Sequence, residues 1–492
     1  MSTLISDRAK KIPDKICLWF GKKRITYLEI DRLITLTAGG LKAMGLKTGE
    51  RVAILMENCP EYVISYFAIV RSGAVVVPVN TFLSVREVSY ILIDSGCKMI
   101  IYSANFIEHI SELKKYSADT AFFMFNEITQ GQTDSHIGDD DEIAVLLYTS
   151  GTTGFPKGAM LTHRNLISNA EACTKVMHLS HRDRVLLFLP LFHSFSFTVC
   201  VLVPIYSGAA IVLLASVKPF SRVINSIIKK RITLFVAVPT IYSILSKKKM
   251  PFLLRLAFKC LVRIRACISG ASALPEETIQ LFEERFNIPL LEGYGLTEAS
   301  PVVAVNPVNG TRKIGSVGPP LPGIEAAVIG EDGSRLPSGQ VGELIVRGPN
   351  VMKGYFNKDS ETRDVLKDGW LYTGDMAKID ADGYIFIVDR KKDLIIVDGM
   401  NIYPREVEDV IIKHPLIEEC AMVGVSAVKG AEIPVLFIKK KDNAGIGEKE
   451  IRDYLKGQIA NFKMPRRVIF IDEFPKTATG KIKKAELRNR QK

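Results

Sequence analysis

The sequence predicts an α/β protein with three parts: a large N-terminal domain of α/β layers, a small β-rich subdomain, and a C-terminal α+β domain. Three observations carry this. Short apolar runs recur through the first half of the chain with amphipathic stretches between them. Past about residue 310 the strand-like runs shorten and Asp-Gly turns appear. The run DRKKDL (389–394) then packs five charges into six residues ahead of a final module of mixed character.

Taken in order, RVAILM (51–56), AVVVPV (74–79), KMIIYS (98–103), AAIVLLA (209–215) and LFVAVP (234–239) read as buried strands. EYVISYFAIVRSG (61–73) reads as a crossover helix between two of them. Strands alternating with helices argue for layered, largely parallel sheets. GQTDSHIGDDDE (131–142) is a polar linker. The stretch FTVCVLVPIYSGAAIVLLASV (197–217) runs 21 residues without a charge, long enough to span a bilayer. Pro204 and Ser207-Gly208 interrupt it, so a buried helix, a turn and a strand are expected instead. EAAVIGEDGSRL (325–336), GELIVRG (342–348) and MAKIDADGYIFIV (376–388) read as short strands, with hairpin signals at 332–333 and 382–383. The expected domains are 1–388, including the β-rich part at about 310–388, a hinge at 389–394, and a small domain at 395–492.

Composition narrows the class. The hydrophobic fraction of 47% and charged fraction of 24% are those of a globular protein. The net charge is +12, with basic clusters at 229–231, 247–249, 439–441, 466–467 and 481–484. Such clusters suit an anionic lipid surface or a polyphosphate substrate. No aromatic-and-basic module of a nucleic-acid reader is present, so a nucleic-acid partner is not expected. The eight cysteines have no C-x-x-C spacing, and the first residues lack the apolar core of a signal peptide. A cytoplasmic chain with reduced thiols is expected, with peripheral contact at the inner face of the membrane left open. The oligomeric state is also open, a homodimer included.

YTSGTTGFPKGAM (148–160) packs hydroxyls and glycines around Lys157. Glycine lets backbone N–H groups close on an anion, hydroxyls donate to it, and a lysine supplies charge. The apolar run 143–148 reads as a strand and 161–178 as a helix, so the loop is expected to join strand to helix. A plain surface turn of the same composition stays open on this loop alone. The order of residues is neither a Walker A loop, whose Lys follows its second Gly, nor G-x-G-x-x-G.

This loop closely resembles the phosphate loop of the adenylate-forming superfamily, most like bacterial medium- or long-chain fatty acyl-CoA synthetases, and the resemblance extends from about Asp14 to Leu487. Further motifs follow in the family's order: LPLFHSFSF (189–197), SGASALP (269–275), EGYGLTEAS (292–300), YTGDMAKIDADGY (372–384), VDGMNIYPREVE (397–408) and PKTATGKIKK (475–484). The resemblance implies ATP or AMP binding by Thr149, Ser150, Gly151, Thr152, Thr153, Gly154, Lys157, Gly270, Ala271, Ser272, Gly293, Tyr294, Gly295, Thr297, Asp375, Arg390 and Lys481. It implies catalytic roles for Lys481, Glu298, Thr297 and His193, with Glu298 holding Mg²⁺. Lys392 would be the hinge, Gly399 would lie beside the CoA channel, and His193 and Phe197 would line the acyl pocket. Implied substrates are a carboxylic acid, ATP and CoA. The implied reaction gives an acyl-adenylate and pyrophosphate, then acyl-CoA and AMP, with the small domain mobile between the two halves. Ile396 stands where luciferases carry an additional lysine, which argues against luciferase-type oxidation. No carrier domain follows residue 492, which argues against a peptide-synthetase module. Alternatives are a ligase that loads an acyl carrier protein and a membrane-associated fatty-acid transport protein.

Overall fold

The computed structural model describes residues 1–117, 119–128, 130–149, 156–247, 261–397, 400–426, 432–441, 445–476 and 480–490. The chain divides into two compact units. One comprises Met1–Glu325 and Val346–Leu371, the other Ala326–Ile345 and Tyr372–Lys492.

The first unit holds two large sheets. One runs in spatial order Val302–Val305, Leu290–Gly295, Ala266–Ser269, Leu234–Ala237, Arg184–Leu187, Ala210–Leu213, Ile16–Phe20 and Lys23–Thr26. Its inner neighbours are parallel and only the two edge strands are antiparallel. Strands such as LFVA and AIVL are buried at every residue, as expected of parallel strands covered on both faces. The other sheet runs Gly354–Tyr355, Lys157–Thr162, Ile143–Thr149, Val75–Pro78, Arg51–Leu55, Met99–Tyr102 and Ala121–Met124. Between the parallel strands Arg51–Leu55 and Val75–Pro78 crosses the helix Pro60–Arg71, started by its proline and buried throughout except at Glu61.

The uncharged run behaves as expected. Ser194–Phe197 is α-helical, Thr198–Leu202 is a π turn, and Val203–Ser207 is α-helical again. Gly208 ends it at φ +75 and the strand Ala210–Leu213 follows. Among the described residues no helix is long and apolar enough to cross a membrane.

One expectation is corrected. The glycine-rich loop joins strand to strand, not strand to helix. Lys157–Thr162 pairs antiparallel with Ile143–Thr149, setting Thr149 opposite Lys157. The helix begins only at His163, where Thr162 and Asn165 form a capping box. The segment 157–162 is short, but it finds a ladder partner on both sides, and that tertiary pairing overrides the helical reading of its last residues. Thr149 and Lys157, the described residues flanking the loop, therefore sit on the two arms of a hairpin and not at a helix terminus.

In the second unit Trp370–Ile379 and Ile385–Arg390 pair antiparallel around an Asp-Gly turn, with Gly383 at φ +82. Ile417–Ser426, Glu432–Lys440 and Arg467–Phe470 form a three-stranded sheet, antiparallel then parallel. The helices Pro404–Ile411 and Glu448–Leu455 pack on one apolar cluster of this sheet and Leu487 of the last helix, Lys484–Asn489, on another. That last helix is tied down by charge. Lys484 Nζ lies 2.8 Å from Glu408 Oε1, which also accepts the Met422 N–H at 2.6 Å. Arg488 meets Asp393 at 2.5 Å. Glu408→Gln strips a half-buried ammonium of its counter-ion. We expect a loss of about 2 kcal/mol, read as a lower denaturant midpoint with unchanged slope. Glu408→Leu paired with Lys484→Met should recover most of it.

Candidate active site

The expected nucleotide residues of the first unit gather where strands of its two sheets end. Thr149 and Lys157 face each other across the phosphate hairpin. Ser150, Gly151, Thr152, Thr153 and Gly154 lie outside the described residues. Beside the hairpin runs the segment 352–356. Lys353 N–H donates to the Met160 carbonyl and Phe356 N–H to that of Gly158. Gly354 sits at φ +144, where an added Cβ would strike Thr362, so this close approach needs glycine. It delivers Tyr355, which is nearly buried at 8% exposure. The Tyr355 hydroxyl donates to Glu298 Oε1 at 2.9 Å, and Lys157 Nζ stands 5.5 Å from the centre of its ring. Burial first, and Glu298 next, push the phenol pKa up, so Tyr355 stays a donor.

Glu298 follows the strand Leu290–Gly295. Gly295 is required there, since a Cβ would lie 2.2 Å from the Pro301 carbonyl oxygen. The backbone of the turn is held from 350–352: Met352 N–H donates to the Glu298 carbonyl at 2.8 Å and Asn350 Nδ2 to that of Ala299 at 2.8 Å. Tyr294 and Gly293 stand one and two residues before Gly295 on the strand, both half-buried. Thr297 meets Ser194, hydroxyl to hydroxyl, at 3.3 Å, which sets the next residue back, His193, beside the same turn. His193 is half-buried and its Nδ1 accepts the Phe195 N–H at 3.2 Å.

The loop after Ala266–Ser269 closes the group. Gly270 abuts the Phe195 ring, where an added Cβ would come within 2.7 Å. Ala271 takes φ +72, a conformation an alanine adopts only against strain and that clusters at ligand sites. Ser272 is exposed. Buried Glu292 pins the loop by accepting the Leu274 N–H at 2.9 Å. Phe197 is elsewhere: it is 5% exposed and stacks on Tyr66 at 3.9 Å, with Tyr62 and Phe67 also in ring contact.

The second unit gathers its own set. Asp375, 2% exposed, pairs with Arg390 across the Trp370–Ile379 and Ile385–Arg390 ladder, Nε to Oδ1 at 2.8 Å. Lys481 shares this neighbourhood. Although its side chain is partly exposed to solvent, its ammonium is pushed down to about 8, by desolvation first and then by Arg390 and Lys392 against the pull of Asp375. Lys392 is lowered too, by desolvation and then Arg390. Gly399 lies outside the described residues.

A magnesium ion would find one suitable ligand in the first unit. Among the described residues no three His, Cys, Asp or Glu side chains gather at a point. Glu298 spends one carboxylate oxygen on Tyr355 and keeps the other. One carboxylate completed by phosphate oxygens and water is what Mg²⁺ ordinarily accepts with a nucleotide, so the residues fit an ion arriving on ATP.

Sequence reasoning missed Tyr355, Glu292 and Ser194. Glu292 and Ser194 sit inside quoted motifs, where a buried acid and a helix-opening serine were readable signals. Tyr355 had none, because its role depends on the pairing of 354–355 with the hairpin.

The layered fold, the glycine-rich hairpin with its lysine and the acid that follows a neighbouring strand are those of the enzymes that use a nucleotide to activate carboxylates. The chain belongs to the AMP-binding enzyme family, whose model matches residues 5–356, and the AMP-binding enzyme C-terminal domain matches residues 406–481. It is 36% identical to the long-chain-fatty-acid–CoA ligase of Bacillus subtilis (strain 168), over 99% of this chain and 94% of that one. It is 35% identical to a feruloyl-CoA synthase of Amycolatopsis sp, over 98% and 97%. Among solved structures it is similar to ATP-bound MatB from Rhodopseudomonas palustris, with TM-score 0.92 and 31% identity over 99% and 98% of the two chains. It also resembles o-succinylbenzoate CoA synthetase of Bacillus subtilis holding its acyl-adenylate, with TM-score 0.89 and 30% identity over 100% and 98%. The family and fold class read from the motifs hold, and with them the reaction class: this is an ATP-dependent acid–thiol ligase.

Two outcomes test the geometry. Tyr355→Phe removes the donor to Glu298 but keeps the ring under Lys157. It should lower kcat/KM for ATP about tenfold, the scale of one hydrogen bond to a charged group, and raise the magnesium concentration needed for half-maximal rate. For Lys481 the sign follows from its depressed pKa: the ammonium is present below about 8 and lost above it. The kcat/KM for ATP reports the free enzyme, so it should fall as pH rises through that value. Lys481→Arg, which stays charged, should flatten the fall.

Proposed function

We propose that the chain activates a medium- or long-chain fatty acid with ATP and passes the acyl group to CoA. A carboxylate oxygen attacks the α-phosphorus of ATP as the bond to the β-phosphate breaks, leaving acyl-adenylate and pyrophosphate. The CoA sulfur then attacks the acyl carbon, its proton departs, and the carbon–oxygen bond to AMP breaks. The observation that carries this reading is Tyr355, which keeps Lys157 and Glu298 close without neutralising each other.

The first step brings negative oxygen toward negative phosphate, so its cost is electrostatic. Lys157 and the hairpin amides would take the outer phosphates. Glu298 would hold magnesium, which when bound withdraws charge from the phosphate oxygens. Tyr294 and the Gly270–Ser272 loop would frame the base and Asp375 the ribose hydroxyls. Thr297 would bond phosphate, and His193 would flank the reacting carboxylate. Lys481 would bridge carboxylate and α-phosphate during adenylation only. The small domain at 395–492, turning about Lys392 in the 389–394 hinge, would then exchange Lys481 for the Gly399 loop beside the thiol.

The fatty-acid reading is supported by the names of relatives such as the Bacillus subtilis ligase and by the apolar run around Phe197. CoA as acceptor is favoured over an acyl carrier protein for the same reason. The cationic surface and the lack of a spanning helix among the described residues fit a cytoplasmic protein that touches the inner face of a membrane. A panel of fatty acids of graded length and aromatic acids, scored by AMP release with and without CoA, tests the substrate class. Best turnover of an aromatic acid, or AMP release indifferent to CoA, would overturn it.

Lys481→Ala should abolish acyl-adenylate formation yet leave thioester formation from ready-made acyl-adenylate within about threefold, since a group acting only in one transition state affects only that step. Equal loss in both half-reactions, measured in single turnovers, would rule out the exchange of faces.

A further inference from the structure

The large sheet of the first unit has a second charged end. Its carboxyl ends lead into the loops of the site at 189–193, 270–275 and 296–300. At its amino ends, Arg184 opens one strand, Lys15 stands just before another, and Lys230 and Arg231 precede a third. Two of these groups, Arg184 and Lys230, meet at Trp19, the fourth residue of the strand Ile16–Phe20. The Arg184 guanidinium carbon lies 5.0 Å and the Lys230 ammonium 5.6 Å from its ring centre, and Arg24 is its direct cross-strand partner. Arg184 Nη1 donates to the Lys230 carbonyl at 2.7 Å, which fixes the fork. Burial first and Arg231 next lower the affinity of Arg184 for its proton, and burial first and Arg184 next lower that of Lys15.

Five cations so placed repel one another. Among the described residues none of the five makes an ion pair. The acid that bears on Lys15, Asp183, is already committed: it accepts Arg265 Nε at 3.0 Å, the Thr233 hydroxyl at 2.8 Å and the Ser180 N–H at 2.9 Å. Trp19 itself is 8% exposed, and its buried indole N–H has no hydrogen-bond partner among the described residues. Buried donors are rarely left so, and each costs free energy until an acceptor arrives. Arg24 and Arg231 are exposed and Lys15, Arg184 and Lys230 half-exposed, so an anion can reach the group from solvent.

We propose that Arg24, Arg184 and Lys230 at Trp19, with Lys15 and Arg231 bearing on Arg184, form a binding site for a phosphate group, built from residues none of which belongs to the reaction site. Guanidinium forks match the oxygens of a tetrahedral oxyanion, and the ammonium groups add point charge. A single-stranded nucleic acid is disfavoured, because base recognition needs an open aromatic face and that of Trp19 is buried beneath cations. The phosphate could belong to a lipid headgroup or be free in solution.

The chain has two tryptophans, Trp19 and Trp370, so full-length Trp370→Phe protein reports Trp19 alone. Its emission is followed against sodium phosphate, with sodium chloride at equal ionic strength as control. A second titration uses phosphatidylglycerol–phosphatidylcholine vesicles, with phosphatidylcholine vesicles as control, and the unmodified chain is co-sedimented with both. A saturable change with the phosphate-bearing probe is expected. Arg184→Gln with Lys230→Gln should weaken it at least about tenfold, the scale of one charge-assisted hydrogen bond, with adenylation rate unchanged. Response to both probes assigns a free phosphate group; response to anionic vesicles alone assigns a lipid headgroup. Should the double variant not fold, Arg24→Gln with Arg231→Gln at exposed positions gives the same comparison. No specific response to either probe, or full response in the variants, overturns the site.

Discussion

A nucleotide site of this kind must hold a cation and a carboxylate close together without letting them cancel. Lys157 and Glu298 both reach Tyr355, and a direct ion pair between them would leave neither ready for the phosphate and metal roles proposed for them. Tyr355 intervenes. Its hydroxyl bonds Glu298 and its ring face takes the Lys157 ammonium, and among the described residues no ion pair joins the two charges. The phenol occupies one carboxylate oxygen, a weak attachment compared with a salt bridge in a partly buried place. Much of the first unit exists to put that ring there. The strand 354–355 is stitched to the hairpin, Gly354 permits the approach, and 350–352 grip the turn that carries Glu298.

The second unit solves the complementary problem. It keeps cations together before their anion is present. Arg390, Lys392 and Lys481 share one buried carboxylate, Asp375, and desolvation first, then the neighbouring positive charge, lowers the Lys481 pKa. Such an arrangement is stable only if the backbone is anchored elsewhere. Lys484–Glu408 and Arg488–Asp393 do this on the C-terminal side of Lys481, and Lys391–Glu343 beside Lys392. A phosphate entering such a group would relieve the repulsion of like charges, the differential interaction that the step-specific role proposed for Lys481 would require.

Much of this was legible in the sequence where local pattern and chemistry agree. Continuous apolar runs such as AIVL and LFVA read as strands buried on both faces, and Gly208 ended the helical part of the uncharged run, with Pro204 accommodated near the start of its last helix. Motif residues Asp375, Arg390 and Lys481 were named one by one, and the fold places the three together. The illegible part is non-local. Nothing within 157–162 says that it pairs with both 143–149 and 354–355, so a helix was expected one strand too early. Tyr355 was invisible for the same reason. Glu292 was quoted inside a motif, but its task of pinning the 270–275 loop appears only once two parallel strands lie side by side.

The two ends of the large sheet show how one architecture sorts charge. In a parallel sheet every strand enters at one end and leaves at the other, so residues flanking the strands accumulate as two separate groups. At the carboxyl ends the chain sets Glu298, Thr297 and His193 within a glycine-rich frame that lets a ligand approach the backbone. From the amino ends it sends Arg184 and Lys230 against a tryptophan whose N–H has no acceptor among the described residues. The first group is organised by hydrogen bonds already made. The second is organised by packing against Trp19 and is electrostatically incomplete. A net charge of +12 spread evenly would have little local consequence, because screening limits exposed charges to about 10 Å at ordinary salt. Concentrated on one buried ring, a handful of those charges acts as a unit, and the anion that satisfies them need have no relation to the one consumed at the other end.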